Sequence, residues 1–204
     1  IGILPAASLF ACSAAMTFPR QMLSSFFGTA SLGIYASVAS PIAIVQTGAS
    51  YIYTPLIGRF AEHFSRGDNK SFISLFIKVS LTMLALVAAL SLLFSFFGHY
   101  FLYLLYGGEV AEHTELLVPM LICSLFTVLL WFANDLLVAM RKVIESFIGN
   151  AAAALLALAF SFYFVPNFSM NGVSFTGIIG YGLAFVFSLC FIIYTLKSTK
   201  GDFR

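Results

Sequence analysis

Six long runs of mostly apolar residues, at about 1–18, 32–57, 72–97, 116–140, 144–165 and 173–196, dominate what this chain can fold into. A helix that crosses a bilayer takes about 20 such residues. Runs of this length satisfy their backbone hydrogen bonds internally only as helices. Barrel strands would be shorter and would alternate in polarity, and these runs do not. Composition agrees: 61% of residues are hydrophobic and 9% charged, against roughly 45–50% and about 25% in a soluble domain. The chain is therefore read as an all-α, polytopic membrane protein, a bundle of six transmembrane helices forming a single unit over 1–204. A net charge of +2 gives no basis for nucleic-acid binding.

Where the basic residues fall matters more than their sum. Arg59, Arg66 and Lys70 follow the second run, Arg141 and Lys142 the fourth, and Lys197, Lys200 and Arg204 the last. Up-and-down threading puts all of these on one side. Lys78, a little way into the third run, can snorkel back to that side. The connection 99–115 holds no basic residue but carries Glu109, Glu112 and Glu115. Cationic loops mark the cytoplasmic face, so both chain ends are expected in the cytoplasm. Arg20 alone breaks the pattern. It follows Pro19 at the outer exit of the first run, with no acidic residue near it in sequence.

Two features anchor the bundle. Tyr100, Tyr103 and Tyr106 in HYFLYLLYGG form an interfacial aromatic belt, expected on a short helix lying along the outer surface. Gly149, Ala153, Ala157 and Ser161 recur every four residues, a small-residue stripe that lets a neighbouring helix approach closely. Cys12, Cys123 and Cys190 sit singly in apolar runs and are read as packing residues. They offer no zinc spacing. His63, His99 and His113 are placed in loops, without a metal or catalytic role. No metal or other cofactor is called for. The opening IGILP lacks the features of a signal peptide, and the chain is expected to be a piece of a longer one.

Polar residues inside the apolar runs are the candidates for function. Pro41 is expected to kink the second helix. Gln46, Ser50 and Tyr53 share one face there by their i, i+4, i+7 spacing. They either line a water-filled cavity or hold helices together by hydrogen bonds. In WFANDLLVAMRK, Asp135 is an ionisable group within a span, a placement that usually serves function. It either pairs with Arg141 or Lys142, or lines a pathway with Asn134 as a proton or cation site. Glu145 is read as a solvated loop charge. The Asn-x-Ser matches at Asn69 and Asn167 carry little weight.

The segments FPRQMLSSFFGTASLGIYASVASPI, LLYGGEV and GIIGYGLAF, in that order, resemble the C-terminal half of bacterial polysaccharide flippases. Those proteins belong to the multidrug/oligosaccharidyl-lipid/polysaccharide exporter superfamily. The resemblance implies one lobe of a two-lobe transporter, so that the chain is read as a fragment of it whose partner would be the N-terminal lobe of the same protein, the alternative being that two copies pair. The substrate it implies is a polyprenyl-diphosphate-linked oligosaccharide, turned across the bacterial cytoplasmic membrane by alternating access. Arg20, Gln46, Ser50, Tyr53 and Asn134 would then be substrate-binding residues and Asp135 the ion-coupling one, and no enzyme activity is expected. Arg20 would meet the diphosphate or an anionic sugar, with Pro19 ending or bending its helix; snorkelling to lipid headgroups is the alternative. A drug or cation antiporter of the same superfamily, an envelope enzyme, or a non-transporting scaffold subunit are the competing functions.

Overall fold

The computed structural model describes residues 3–202, and among these every regular element is helical. In chain order the elements are α1 (Ile3–Tyr53), a 3-10 turn at Thr54–Leu56, α2 (Ile57–Ser65), α3 (Asn69–Tyr106), α4 (Gly108–Ala111), a second 3-10 turn at Thr114–Leu116, α5 (Leu117–Ala139) and α6 (Val143–Asp202). Four stretches are long and apolar enough to cross a membrane: Ala6–Ser65, Asn69–Tyr106, Thr114–Ala139 and Val143–Ser198.

Two of the four double back. In α6 only Ser169 leaves helical dihedral angles, at φ 51° and ψ −128°. A Cβ on Gly172 would lie 2.2 Å from the carbonyl oxygen of Phe164, and one on Gly180 3.4 Å from the amide nitrogen of Ala157. Residues so far apart in sequence meet only if residues 143–168 and 170–202 run antiparallel. The stripe of Ala153, Ala157 and Ser161 lies in this contact, and its small side chains let the two arms approach backbone to backbone. In α1 the break is Gly28, at φ 83° and ψ 170°. Arg20 faces Tyr35 across it. Such a backbone is essentially reserved for glycine, so Gly28 makes the turn where other residues would be strained.

Pro19 does not end its helix. Helical geometry continues through Pro19 for two further turns to Gly28, and Pro41 also lies inside a helical arm. Prolines persist in membrane helices where neighbours satisfy the freed carbonyl. The tyrosine-rich segment is not a separate surface helix. It forms the last turns of α3, which stops only at Gly107, and Tyr100 and Tyr103 project outward from it. His99 therefore lies within α3 and His63 within α2; His113 alone of the three is in a turn.

The centre of the bundle is α5. In its most apolar window 56% of residues are buried, against 22% for α3. The outward face of α3 presents Ile77, Leu81, Leu92, Phe96 and other large apolar groups, as a face against lipid would. At one end of α5, Phe132 packs against Tyr53, Phe60 and Phe76, with Phe60 in turn against Phe72. At that same end the Asn69 amide donates to the Leu196 carbonyl at 2.8 Å, and α2 lies beside Arg141. The basic turns thus share one end of the bundle; Gly28, Ser169 and the glutamates around α4 occupy the other. Asp68 caps α3 at the basic end, and the Ser71 hydroxyl and amide hold its carboxyl below the usual range.

Gly28 and Ser169 make opposite predictions. A Cβ at Gly28 meets nothing within 4 Å, so Gly28→Ala adds backbone strain alone, of about 1–3 kcal/mol. Ser169→Gly removes strain and raises stability by about 1 kcal/mol. Denaturant titration of the purified protein in mild detergent checks both signs. A neutral Gly28→Ala would refute the turn.

Candidate functional site

One face of the bundle is lined by the two arms of α1, by α5 and by α6, and it holds cavities at both ends. The cavity nearer the acidic end is small, about 60 Å³. Pro19, Arg20, Tyr35, Gln46, Thr127 and Tyr181 line it together with apolar neighbours. Arg20 lies eight residues before the turn at Gly28, about 12 Å along the helix at 1.5 Å per residue. The sequence placed it at the exit of the span; the structure places it two turns inside. Its guanidinium carbon sits 6.0 Å from the centre of the buried Tyr35 ring, where ring electrons attract a cation. No carboxylate pairs with it among the described residues.

The cavity at the basic end is larger, about 510 Å³. Tyr53, Trp131, Asn134, Asp135, Ser146 and Asn150 line it, and Ser8 and Cys12 join them from the first arm of α1. Asp135 is exposed to this space, close to the Tyr53 hydroxyl. It forms no ion pair with Arg141 or Lys142; Lys142 instead reaches Glu145 at 3.4 Å. Glu145 is thereby a paired residue in the first turn of α6, not a free loop charge.

Between the cavities the packing tightens to a void of about 10 Å³ bordered by Met16, Trp131, Asn150 and Tyr181. Polar side chains close this waist. The Tyr181 hydroxyl donates to the Ala15 carbonyl at 2.9 Å, and Trp131 Nε1 to Cys12 Sγ at 3.3 Å. A four-residue relay ties three elements together: Ser188 Oγ donates to Asn134 Oδ1 at 3.3 Å, Asn134 Nδ2 to Asn150 Oδ1 at 2.6 Å, and Asn150 Nδ2 to Ser8 Oγ at 2.7 Å. Gly149 gives this relay its room, because a Cβ there would lie 2.5 Å from Ser188 Oγ and 3.0 Å from Asn134 Oδ1. Its place in the small-residue stripe is therefore set by the polar atoms passing over it.

The residues singled out from sequence divide between these places. Arg20 and Gln46 share the small cavity; Tyr53, Asn134 and Asp135 share the large one. Asn134 is 5% exposed and serves mainly to bind helices together. Ser50 borders neither cavity, and its hydroxyl turns back to the Thr47 carbonyl at 2.7 Å. Tyr35, Trp131, Asn150, Ser188 and Ser8 were not foreseen. Asn150 carried a readable signal, an amide in an apolar run one residue beyond the glycine of the stripe.

The chain is 25% identical, over 167 residues, to the capsular polysaccharide biosynthesis protein CapF of Staphylococcus aureus. That similarity takes in 78% of this chain but 40% of the relative, so the chain spans well under half of that protein's length. Neither a family model nor a solved structure matches it.

The relay is expected to act as a unit. Interhelical hydrogen bonds in membranes contribute about 0.5–2 kcal/mol, and a bond broken on one side strands its partner. Asn134→Ala and Asn150→Ala should each destabilise the fold, and the double variant should cost clearly less than their sum. A denaturation double-mutant cycle checks this; strict additivity would dissolve the relay.

Proposed function

We propose that this chain forms six membrane crossings and serves as one lobe of a two-lobe transporter. Its cargo would be a polyprenyl-diphosphate-linked oligosaccharide, carried from the inner to the outer leaflet of a bacterial cytoplasmic membrane by alternating access. The reversals at Gly28 and Ser169 support six crossings, since each half of α1 and α6 is long enough for the hydrocarbon core. The shared end of Arg66, Arg141 and Leu196 supports a cytoplasmic placement of both chain ends. The likeness to a capsular polysaccharide biosynthesis protein supports a sugar-linked cargo. The resemblance to exporter C-terminal halves supports a partner lobe that would close the open face.

Arg20 carries this proposal. A guanidinium two turns inside a membrane span, facing a cavity and lacking a carboxylate, is costly unless an anion comes to it. Its planar fork of donors matches phosphate oxygens. Gln46 adds an uncharged amide to the same cavity. The cavity is small, about 60 Å³, room for a few waters beside the guanidinium. Cargo would enter from the basic end, where the larger cavity lies. The chemistry is carriage, with no bond of the cargo broken.

Asp135 favours a second possibility, coupling to a cation, because its carboxylate meets the cavity without a basic partner. Moving a diphosphate outward is already driven by an inside-negative potential, at about 2.3 kcal/mol per charge per 100 mV. A pure flippase thus requires no cation, whereas a drug or cation antiporter does.

Two substitutions in the full-length protein separate the cases. Arg20→Ala should cut export of lipid-linked sugar by about tenfold or more, with Arg20→Lys intermediate, as expected for a charge-assisted phosphate bond. Normal export by both variants at normal membrane abundance would remove the ligand role. Asp135→Asn should leave export driven by membrane potential intact; loss of export together with its dependence on Na+ or H+ would instead assign Asp135 to coupling.

A further inference from the structure

The turns that end α2 and α5 are closed alike, with one substitution between them. After α2 the Asp68 amide donates to the His63 carbonyl at 2.9 Å and the Gly67 amide to the Phe64 carbonyl at 3.0 Å, with Gly67 at φ 66°. After α5 the Lys142 amide donates to the Leu137 carbonyl at 2.7 Å and the Arg141 amide to the Val138 carbonyl at 2.9 Å. Here Arg141 stands in glycine's place, at φ 61°. Helices commonly end on a left-handed residue, and glycine takes that position without strain. An arginine there is held against a backbone cost.

Nothing in the described protein uses its charge. Arg66 pairs with Glu62 at 2.6 Å and Lys142 with Glu145 at 3.4 Å, while Arg141 has no carboxylate partner. It lines a groove of about 510 Å³ between α2 and the α5–α6 turn. Ala61, Phe64, Ala139 and Met140 make the groove largely apolar, and the one carboxylate in it, Glu62, is already neutralised by Arg66. Arg59, Lys70 and Lys142 surround this end of the bundle. The groove joins an apolar floor to a free cation, at the ends of helices long enough to cross a membrane. That combination suits an amphiphile with an anionic head.

We infer that this groove binds an anionic phospholipid of the adjoining leaflet, its phosphate held by the Arg141 guanidinium and its acyl chain laid along Ala61, Phe64 and Ala139. The guanidinium fork matches phosphate oxygens, and basic side chains beside a membrane attract anionic lipid. A zwitterionic lipid would bring its own cationic group among Arg66, Arg141 and Lys142. The site depends only on the chain lying in a membrane and stands apart from any transport role.

The test is retention of added phosphatidylglycerol, compared with phosphatidylcholine, by the full-length protein in native mass spectrometry, together with thermal unfolding in each lipid. Arg141→Gly should weaken phosphatidylglycerol binding by about fivefold or more. The same variant should melt higher than the parent in phosphatidylcholine, by about 2–4 °C, because the strained turn is relieved. Ala61→Phe, which fills the groove and leaves every charge in place, should also weaken phosphatidylglycerol binding. Arg59→Gln, at the same end but outside the groove, should change it little. Equal retention of the two lipids by the parent, or undiminished phosphatidylglycerol binding by both Arg141→Gly and Ala61→Phe, would overturn the site. So would an equal loss with Arg59→Gln, which would mean diffuse attraction to the basic end.

Discussion

A backbone surrounded by hydrocarbon has no water to bond with, so each amide and carbonyl must find its partner within the helix. Helices long and apolar enough to cross a membrane, as four stretches here are, answer to that constraint. It forbids wandering loops at depth and confines changes of direction to a few residues at the ends of spans. The reversals in α1 and α6 each occupy one non-helical residue, Gly28 and Ser169. Turns this tight force the paired arms together, and the small side chains of Ala153, Ala157 and Ser161 follow from that closeness. With the arms paired, α5 is left to fill the centre, and its buried leucines do so.

The same lack of water sorts the polar side chains into two kinds. Asn134, Asn150, Ser188 and Ser8 satisfy one another, and Tyr181 and Trp131 find partners across α1. Threonine and serine hydroxyls along the helices turn back to carbonyls in the preceding turn, as Thr17, Ser37 and Thr82 do. Arg20 and Asp135 stand apart as charged groups. Each is charged at neutral pH in water, each faces a cavity, and neither has an oppositely charged protein partner among the described residues. The waist of satisfied groups keeps them apart, one toward each end of the bundle.

The helices were legible because length and apolarity are local properties, and the sorting of basic residues to one end needed only alternate threading. The turns were less so. Phe26 and Phe27 carry apolarity straight up to Gly28, so hydropathy gave no sign of a one-residue reversal there; Pro19 looked like the stop, which displaced Arg20 from inside the span to its exit. Tyr100 and Tyr103 likewise looked like a surface helix because aromatic residues mark an interface equally well from the last turns of a span. Arg20, Gln46, Tyr53 and Asp135 stood out because polarity in an apolar run is conspicuous. Tyr35, Trp131 and Ser8 did not, since each is ordinary in such a run and gains its role only from residues far away in sequence. Asn134 was conspicuous for the same reason as Asp135, yet its neighbour Asn150 turns it into a structural tie.

Ties across the waist bear on how these helices could move against one another. The first arm of α1, α5 and both arms of α6 are joined by hydrogen bonds that cross from helix to helix. Sliding one of these helices along another would strand Asn134, Asn150 and Tyr181 together. Motion about their common axis strands none of them. These bonds hold the first arm of α1, α5 and both arms of α6 together as one body. In the second arm of α1 the hydroxyls of Ser37, Ser40, Thr47 and Ser50 bond within their own helix, whereas the Tyr53 hydroxyl meets Asp135 on α5. Gln46 and Tyr53 lie on that second arm, and each brings its side chain to a cavity whose other walls are fixed.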